Sequence, residues 1–243
     1  MIKQFINLEW KAFTRSASFQ VNLALKILMV FGAFFMLLYA LGAGIGAYYL
    51  IEEMVDPEPL KIINQFLIFY FIFDLVFKYF LQKMPIVNIK PLLYLPLKKD
   101  QIVKFGINKT MISFFNIWHA FFFIPFSIVL IIEGHPFINV LGWHLAMLAL
   151  VYCNNFINIF VNSKDVVFFA VIGVIAILGG LLYFNIFDVT QFTAPIFSAF
   201  YNQPYLAVIP IVLAFVLYKM AFKYFRENFY LDAGLAKKVD IAE

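Results

Sequence analysis

Six apolar runs, each of about 20 residues, dominate this chain and leave it few folds to choose from. They cover residues 27–51, 62–81, 111–132, 140–161, 166–184 and 205–222. At about 1.5 Å rise per residue, a helix of that length crosses a hydrocarbon layer of about 30 Å. A water-soluble core could not hide so much apolar surface. Of the 243 residues 64% are hydrophobic and only 13% charged, against roughly half and a quarter in soluble domains. The predicted fold class is all-α: one polytopic membrane domain with six transmembrane helices.

The basic residues then set an orientation. Of eighteen Lys and Arg, all but Lys61 fall on one side of such a bundle. Lys3, Lys11, Arg15 and Lys26 precede the first run, and Lys78, Lys83, Lys90, Lys98, Lys99, Lys104 and Lys109 lie around the loop between the second and third. Lys164 separates the fourth and fifth runs, and Lys219, Lys223, Arg226, Lys237 and Lys238 mark the tail. Lys61 shares its loop with Glu52, Glu53, Asp56 and Glu58. Basic residues near span ends resist translocation, so both termini are expected in the cytoplasm.

Between the runs, the segments differ in kind. Residues 1–26 are too polar for the apolar core of a cleavable signal. Ile2, Phe5, Ile6, Trp10 and Phe13 instead recur at helical steps among polar residues, which predicts an amphipathic helix lying in the interface. The single Cys153 sits inside the fourth run and forms no internal disulfide. Residues 185–204 form an outside segment rich in Phe and Tyr, expected to dip back as a re-entrant hairpin around Pro195 or to form an aromatic belt. Residues 82–109 make the longest cytoplasmic connection. Pro85, Pro91 and Pro96 interrupt it, so a short apolar helix over 89–95, a turn at Pro96 and a basic helix leading into the third run are expected.

The stretch PLLYLPLKKDQIVKFGINK resembles the leucine-rich helix, proline turn and basic helix that lead into the third span of type-2 ABC transporter permeases. The architecture of nearly the whole chain resembles theirs too. LEWKAFTRSASF, FLQKMPIVNIKPLLYLPLKK and NNFIN are also similar to an uncharacterised bacterial membrane family regarded as ABC permease-like. Its members are longer, so this chain is expected to correspond to a first half, with residues 223–243 a cytoplasmic tail ending in a shortened linker. The resemblance implies a bacterial inner-membrane exporter subunit acting as a dimer or pseudo-dimer. Its loop would dock as a coupling helix on a separate cytosolic ATPase, which would bring the ATP and Mg. Ile89, Leu92, Tyr94 and Leu95 would be the apolar contacts, with Lys98, Lys99 and Asp100 at the rim, matching an interface with an apolar centre and a charged edge. The same loop read without the resemblance is a basic segment resting on anionic headgroups.

None of the eleven glycines opens a phosphate-binding GxxxxGK[ST] loop. His119, His135 and His144 lack the spacing of a metal site, and no cofactor is expected in this chain. The remaining clue is polar side chains inside the runs, which are costly in hydrocarbon unless they face protein or water. Asp74 and Lys78 are one turn apart and can pair. Asn116 and His119 share one face of the third run; His144, Asn155 and Asn158 share one on the fourth, beside Asn154. Asp74, Asn116 and Asn155 each lie about 8 to 12 Å from the cytoplasmic end at roughly 1.5 Å per residue. This inner layer reads either as the wall of an inward-open vestibule for an amphiphilic substrate, such as a lipid, lipopeptide or drug-like molecule, or as interhelical hydrogen-bond glue. The run from Gly42 to Gly46 reads as a close helix contact. Two further readings compete with the permease: a non-transporting membrane scaffold recruiting a partner through the basic loop, and an intramembrane enzyme using His119 and Asp74.

Overall fold

The computed structural model describes residue 11 and residues 23–55, 58–82, 98–161, 165–184 and 187–234. Among these, every regular element is helical: α1 (Leu23–Met54), α2 (Pro59–Leu81), α3 (Lys99–Met111), α4 (Phe114–Ile117), α5 (Ala120–Ile132), α6 (Phe137–Val161), α7 (Asp165–Tyr183), α8 (Val189–Asn202), a 3-10 turn over Pro204–Ala207 and α9 (Val208–Gly234). Among the described residues, five stretches are long and apolar enough to cross a membrane: Val30–Met54, Pro59–Leu81, Phe114–Ile132, Phe137–Val161 and Pro204–Glu227. This is the build of a membrane-embedded protein. Within α7 the described apolar stretch, Ile172–Tyr183, is shorter. The expected amphipathic helix over 1–26 lies outside the described residues apart from Lys11, as do residues 83–97 of the basic loop and the end of the tail.

Helix α6 is the hub. It packs against α2, α5, α8, α9 and the 3-10 turn, while α1 lies along α5 and α3 along α9. Lipid is as apolar as leucine, so helices in a bilayer are held by close packing and polar contacts rather than by escape from water. The glycines show how close the packing is. A Cβ on Gly44 of α1 would stand 2.5 Å from the Phe122 carbonyl oxygen and 2.7 Å from Pro125 Cγ on α5. The expected close contact in the Gly42–Gly46 run is therefore present, and Gly44 makes it. Gly142 of α6 does the same for the chain reversal at Pro204, whose Cα lies 2.6 Å from where a Cβ would be.

Two apolar clusters fill the bundle. The larger includes Phe71, Phe123, Phe126, Trp143, Met147, Val151 and Phe197; the smaller joins Ile102, Val103 and Ile107 of α3 to Phe156 and Ile159 of α6 and Ala221 and Phe225 of α9. On α6 the first ends at Val151 and the second begins at Phe156. Asn154 and Asn155 fall in the gap.

Two sequence expectations need correction. The third span, read as one run over 111–132, is broken: α3 ends at Met111, α4 covers only Phe114–Ile117, and turns at Ile112–Ser113 and Trp118–His119 precede α5. The break is tolerated because side chains serve the freed backbone. Asn116 Nδ2 donates to the Thr110 carbonyl at 2.7 Å, which the Ser113 N–H also reaches at 3.1 Å. The hairpin at Pro195 is absent: α8 runs through Pro195 as one helix, and the chain turns at Gln203–Pro204. Its buried face, Val189, Ala194, Phe197 and Phe200, packs along α2 and α6 and keeps the exposed proline inside a helix. Asp188 caps α8, accepting from Thr190 N at 2.9 Å and Thr190 Oγ1 at 2.6 Å. The Thr190 hydroxyl bond holds its carboxyl below the usual range. The first part of the segment expected to be a cytoplasmic tail, from residue 223, continues α9 as helix to Gly234, with Ala221 and Phe225 buried against α3.

Candidate functional site

The polar residues of α2, α4 and α6 and of the turn at His119 form one continuous buried layer in two linked groups. In the first, Asp74 is the centre. Lys78 Nζ donates to Asp74 Oδ2 at 2.8 Å and to the Val151 carbonyl at 3.2 Å. Asn154 Nδ2 donates to the same Oδ2 at 3.0 Å and to the Phe71 carbonyl at 2.7 Å. His119 Nε2 lies 2.9 Å from Asp74 Oδ1. A carboxylate only accepts, so Nε2 carries the proton and Nδ1 accepts from the Tyr70 hydroxyl. The i,i+4 spacing of Asp74 and Lys78 on α2 makes their pairing local, whereas His119 and Asn154 arrive from other helices. Lys78 is fully buried and Asp74 is 8% exposed. An ion pair this deep in a membrane bundle depends on partners for its remaining donors and acceptors, and here two of the three Lys78 donors and both Asp74 oxygens have them.

The second group is centred on Asn155. Its Oδ1 accepts from Gln82 Nε2 at 2.9 Å and from Asn116 Nδ2 at 3.0 Å, and its Nδ2 donates to Thr110 Oγ1 at 3.0 Å. Gln82 stands at the start of the basic loop and Thr110 at its far end. One α6 side chain thus ties together both ends of the 82–109 connection. Asn158 is buried one turn farther along α6. Three acceptor-capable atoms around this group, Gln82 Oε1, Asn116 Oδ1 and Ser113 Oγ, are buried and make no hydrogen bond among the described residues.

The structure therefore unites Asp74, Lys78, His119 and Asn154 in one group and Asn116 and Asn155 in the next, with Asn158 alongside. It does not unite them with His144, which shares their angular face but lies near the other end of α6 and pairs with Ser127 at 2.8 Å. The layer is packed between helices, Asn155 being 1% and Asn116 5% exposed; it lines a vestibule only if those helices separate. Of the coupling-loop residues, Ile89, Leu92, Tyr94 and Leu95 lie outside the described residues. Lys98 is exposed at the start of α3, Lys99 is half-buried, and Asp100 pairs with Arg226 of α9 at 2.8 Å. Sequence reasoning missed Tyr70, Gln82 and Thr110. Tyr70 could have been found one turn before Asp74, and Gln82 and Thr110 as the first polar residues flanking the predicted spans.

Long apolar helices closed over a buried ion pair and an asparagine-centred network define the class as a polytopic helical membrane protein. The chain belongs to a family of unknown function, DUF5687, whose model matches residues 9–243. No curated protein and no solved structure matches it.

Proposed function

We propose that this chain is the membrane-spanning permease subunit of an ABC-type exporter, moving an amphiphilic substrate by alternating access with energy from a separate cytosolic ATPase. In this reading α7 is a sixth span, both termini and the basic loop face the cytoplasm of a bacterium, and a second copy or second half completes the unit. The charge asymmetry of the loops supports the orientation.

The observation that carries the proposal is the convergence of both ends of the 82–109 connection on Asn155. A partner pushing on the loop would load Gln82 and Thr110 together, and through them α6, the hub of the bundle. Helix α3 supports that transmission, since Ile102, Val103 and Ile107 seat it against α6 and α9 and Asp100 joins it to Arg226. A merely lipid-resting loop has no need of this rigid attachment. Opening the layer would free hydrogen-bonding groups to face a polar head, and Gln82 Oε1 and Asn116 Oδ1 already have capacity to accept.

The test is a pair of substitutions in the loop, Leu92→Asp and Leu95→Asp, with membrane insertion checked by protease accessibility. The ATPase recovered with the tagged chain should drop to background. Unchanged recovery with a correctly inserted variant would refute docking through this loop.

A further inference from the structure

At the end of the bundle opposite the basic loop lies a cavity of about 340 Å³, bounded by the start of α2, the α5–α6 turn and the end of α8. That volume falls at the small end of ligand sites, about 300 to 1,000 Å³. Its inner wall is built rather than incidental. Asn64, 1% exposed, accepts from Trp143 Nε1 at 2.9 Å and donates to Ser198 Oγ at 3.0 Å, so α2, α6 and α8 fix one another there. On the rim, His135 Nδ1 lies 2.6 Å from the Tyr201 hydroxyl, and both rings meet edge to face. Burial holds His135 below the ordinary imidazole range. A neutral ring accepting from Tyr201 at Nδ1 carries its proton on Nε2, which makes no hydrogen bond among the described residues.

The charges at this mouth come as a pair of opposite sign: Lys61 Nζ stands 4.0 Å from Glu58 Oε2 on the first turn of α2. Beside it, two and three residues past His135, α6 begins with exposed Phe137 and Ile138. The arrangement thus offers a cation, an anion and neutral donors to a polar head, and apolar side chains to whatever that head is attached to.

We propose that this cavity binds the zwitterionic head of a phospholipid. The phosphate is taken by Lys61 and His135 Nε2, the ammonium by Glu58, and the acyl chains run along Phe137 and Ile138. An anionic head would meet Glu58 unfavourably, and a purely cationic one would meet Lys61. The inference depends on the membrane-embedded fold and not on an ATPase, so its failure leaves loop docking untouched.

The test is native mass spectrometry of the purified full-length chain titrated with phosphatidylethanolamine or phosphatidylglycerol, with soluble phosphoethanolamine as competitor. Phosphatidylethanolamine should bind more tightly and be displaced by phosphoethanolamine. Lys61→Gln and His135→Gln should each weaken it about tenfold, the effect of losing one charge-assisted hydrogen bond, without changing the thermal midpoint. Glu58→Gln should shift preference toward phosphatidylglycerol. Equal binding of the two lipids by the native chain, no displacement of phosphatidylethanolamine by phosphoethanolamine, or full retention of binding in both Lys61→Gln and His135→Gln would overturn the proposal. Should His135→Gln lower the thermal midpoint, the exposed Lys61 and Glu58 variants decide the matter alone.

Discussion

Replacing Lys78 by Met tests whether the centre of the polar layer holds a true buried ion pair. The substitution roughly keeps the side-chain size but removes the ammonium paired with Asp74. Lys78 Nζ has two partners, Asp74 Oδ2 and the Val151 carbonyl, and both lose it. Breaking one side of a buried pair typically costs about 3 to 5 kcal/mol. Asp74 keeps Asn154 and His119 at 3.0 and 2.9 Å, so the lower figure, about 3 kcal/mol, applies. Replacing both members, Asp74→Asn with Lys78→Met, removes the uncompensated charge and should restore most of the loss. Unfolding followed by circular dichroism over increasing dodecyl sulfate in mixed micelles measures all three variants. The reasoning fails if Lys78→Met lies within about 1 kcal/mol of the parent, or if the double variant is as unstable as the single.

Other expectations follow from the same contacts. Asn155→Leu removes three interhelical hydrogen bonds, which at about 0.6 kcal/mol each should cost about 2 kcal/mol; it should also abolish transport in a chain that still folds, and retained transport would reduce the layer to glue. Gly44→Val should destabilise by about 1 to 3 kcal/mol through overpacking against Phe122 and Pro125, whereas Gly42→Ala, which meets nothing within 4 Å, should be neutral; thermal midpoints in detergent distinguish them. His135 is held neutral by burial, so the unfolded chain takes up its proton first: stability contributed there is complete above about pH 6.5 and falls as the pH drops below that value. His135→Gln should remove that part of the pH profile.

What could be read from the chain beforehand was whatever depends on neighbours in sequence. Asp74 and Lys78 announce their pairing by spacing, and Asn154, Asn155 and Asn158 their burial by standing in an otherwise apolar run. What could not be read depends on contacts across the bundle. The third span looks continuous because Ile112 to Ile117 is apolar apart from Ser113 and Asn116; at its break the Ser113 N–H and the Asn116 side chain both reach back to the Thr110 carbonyl. Tyr70 looks like one more ring in an aromatic helix until His119 is placed against it. Pro195 suggests a turn by local preference, yet Ala194, Phe197 and Phe200 find partners on α2 and α6 that hold the helix through it. Gln82 stands at the edge of a loop by sequence, and only the approach of α6 makes it part of the layer.

The central claim is that the loop tied to Asn155 receives force from an ATPase. The most direct measurement is mild-detergent purification of the tagged native chain from its own membranes, with mass-spectrometric identification and quantification of what remains bound. The account predicts a cytosolic ATPase bearing a phosphate-binding loop, recovered in near-stoichiometric amount. Recovery of the intact, folded chain with a stoichiometric envelope protein and no such ATPase would contradict it and favour a membrane scaffold.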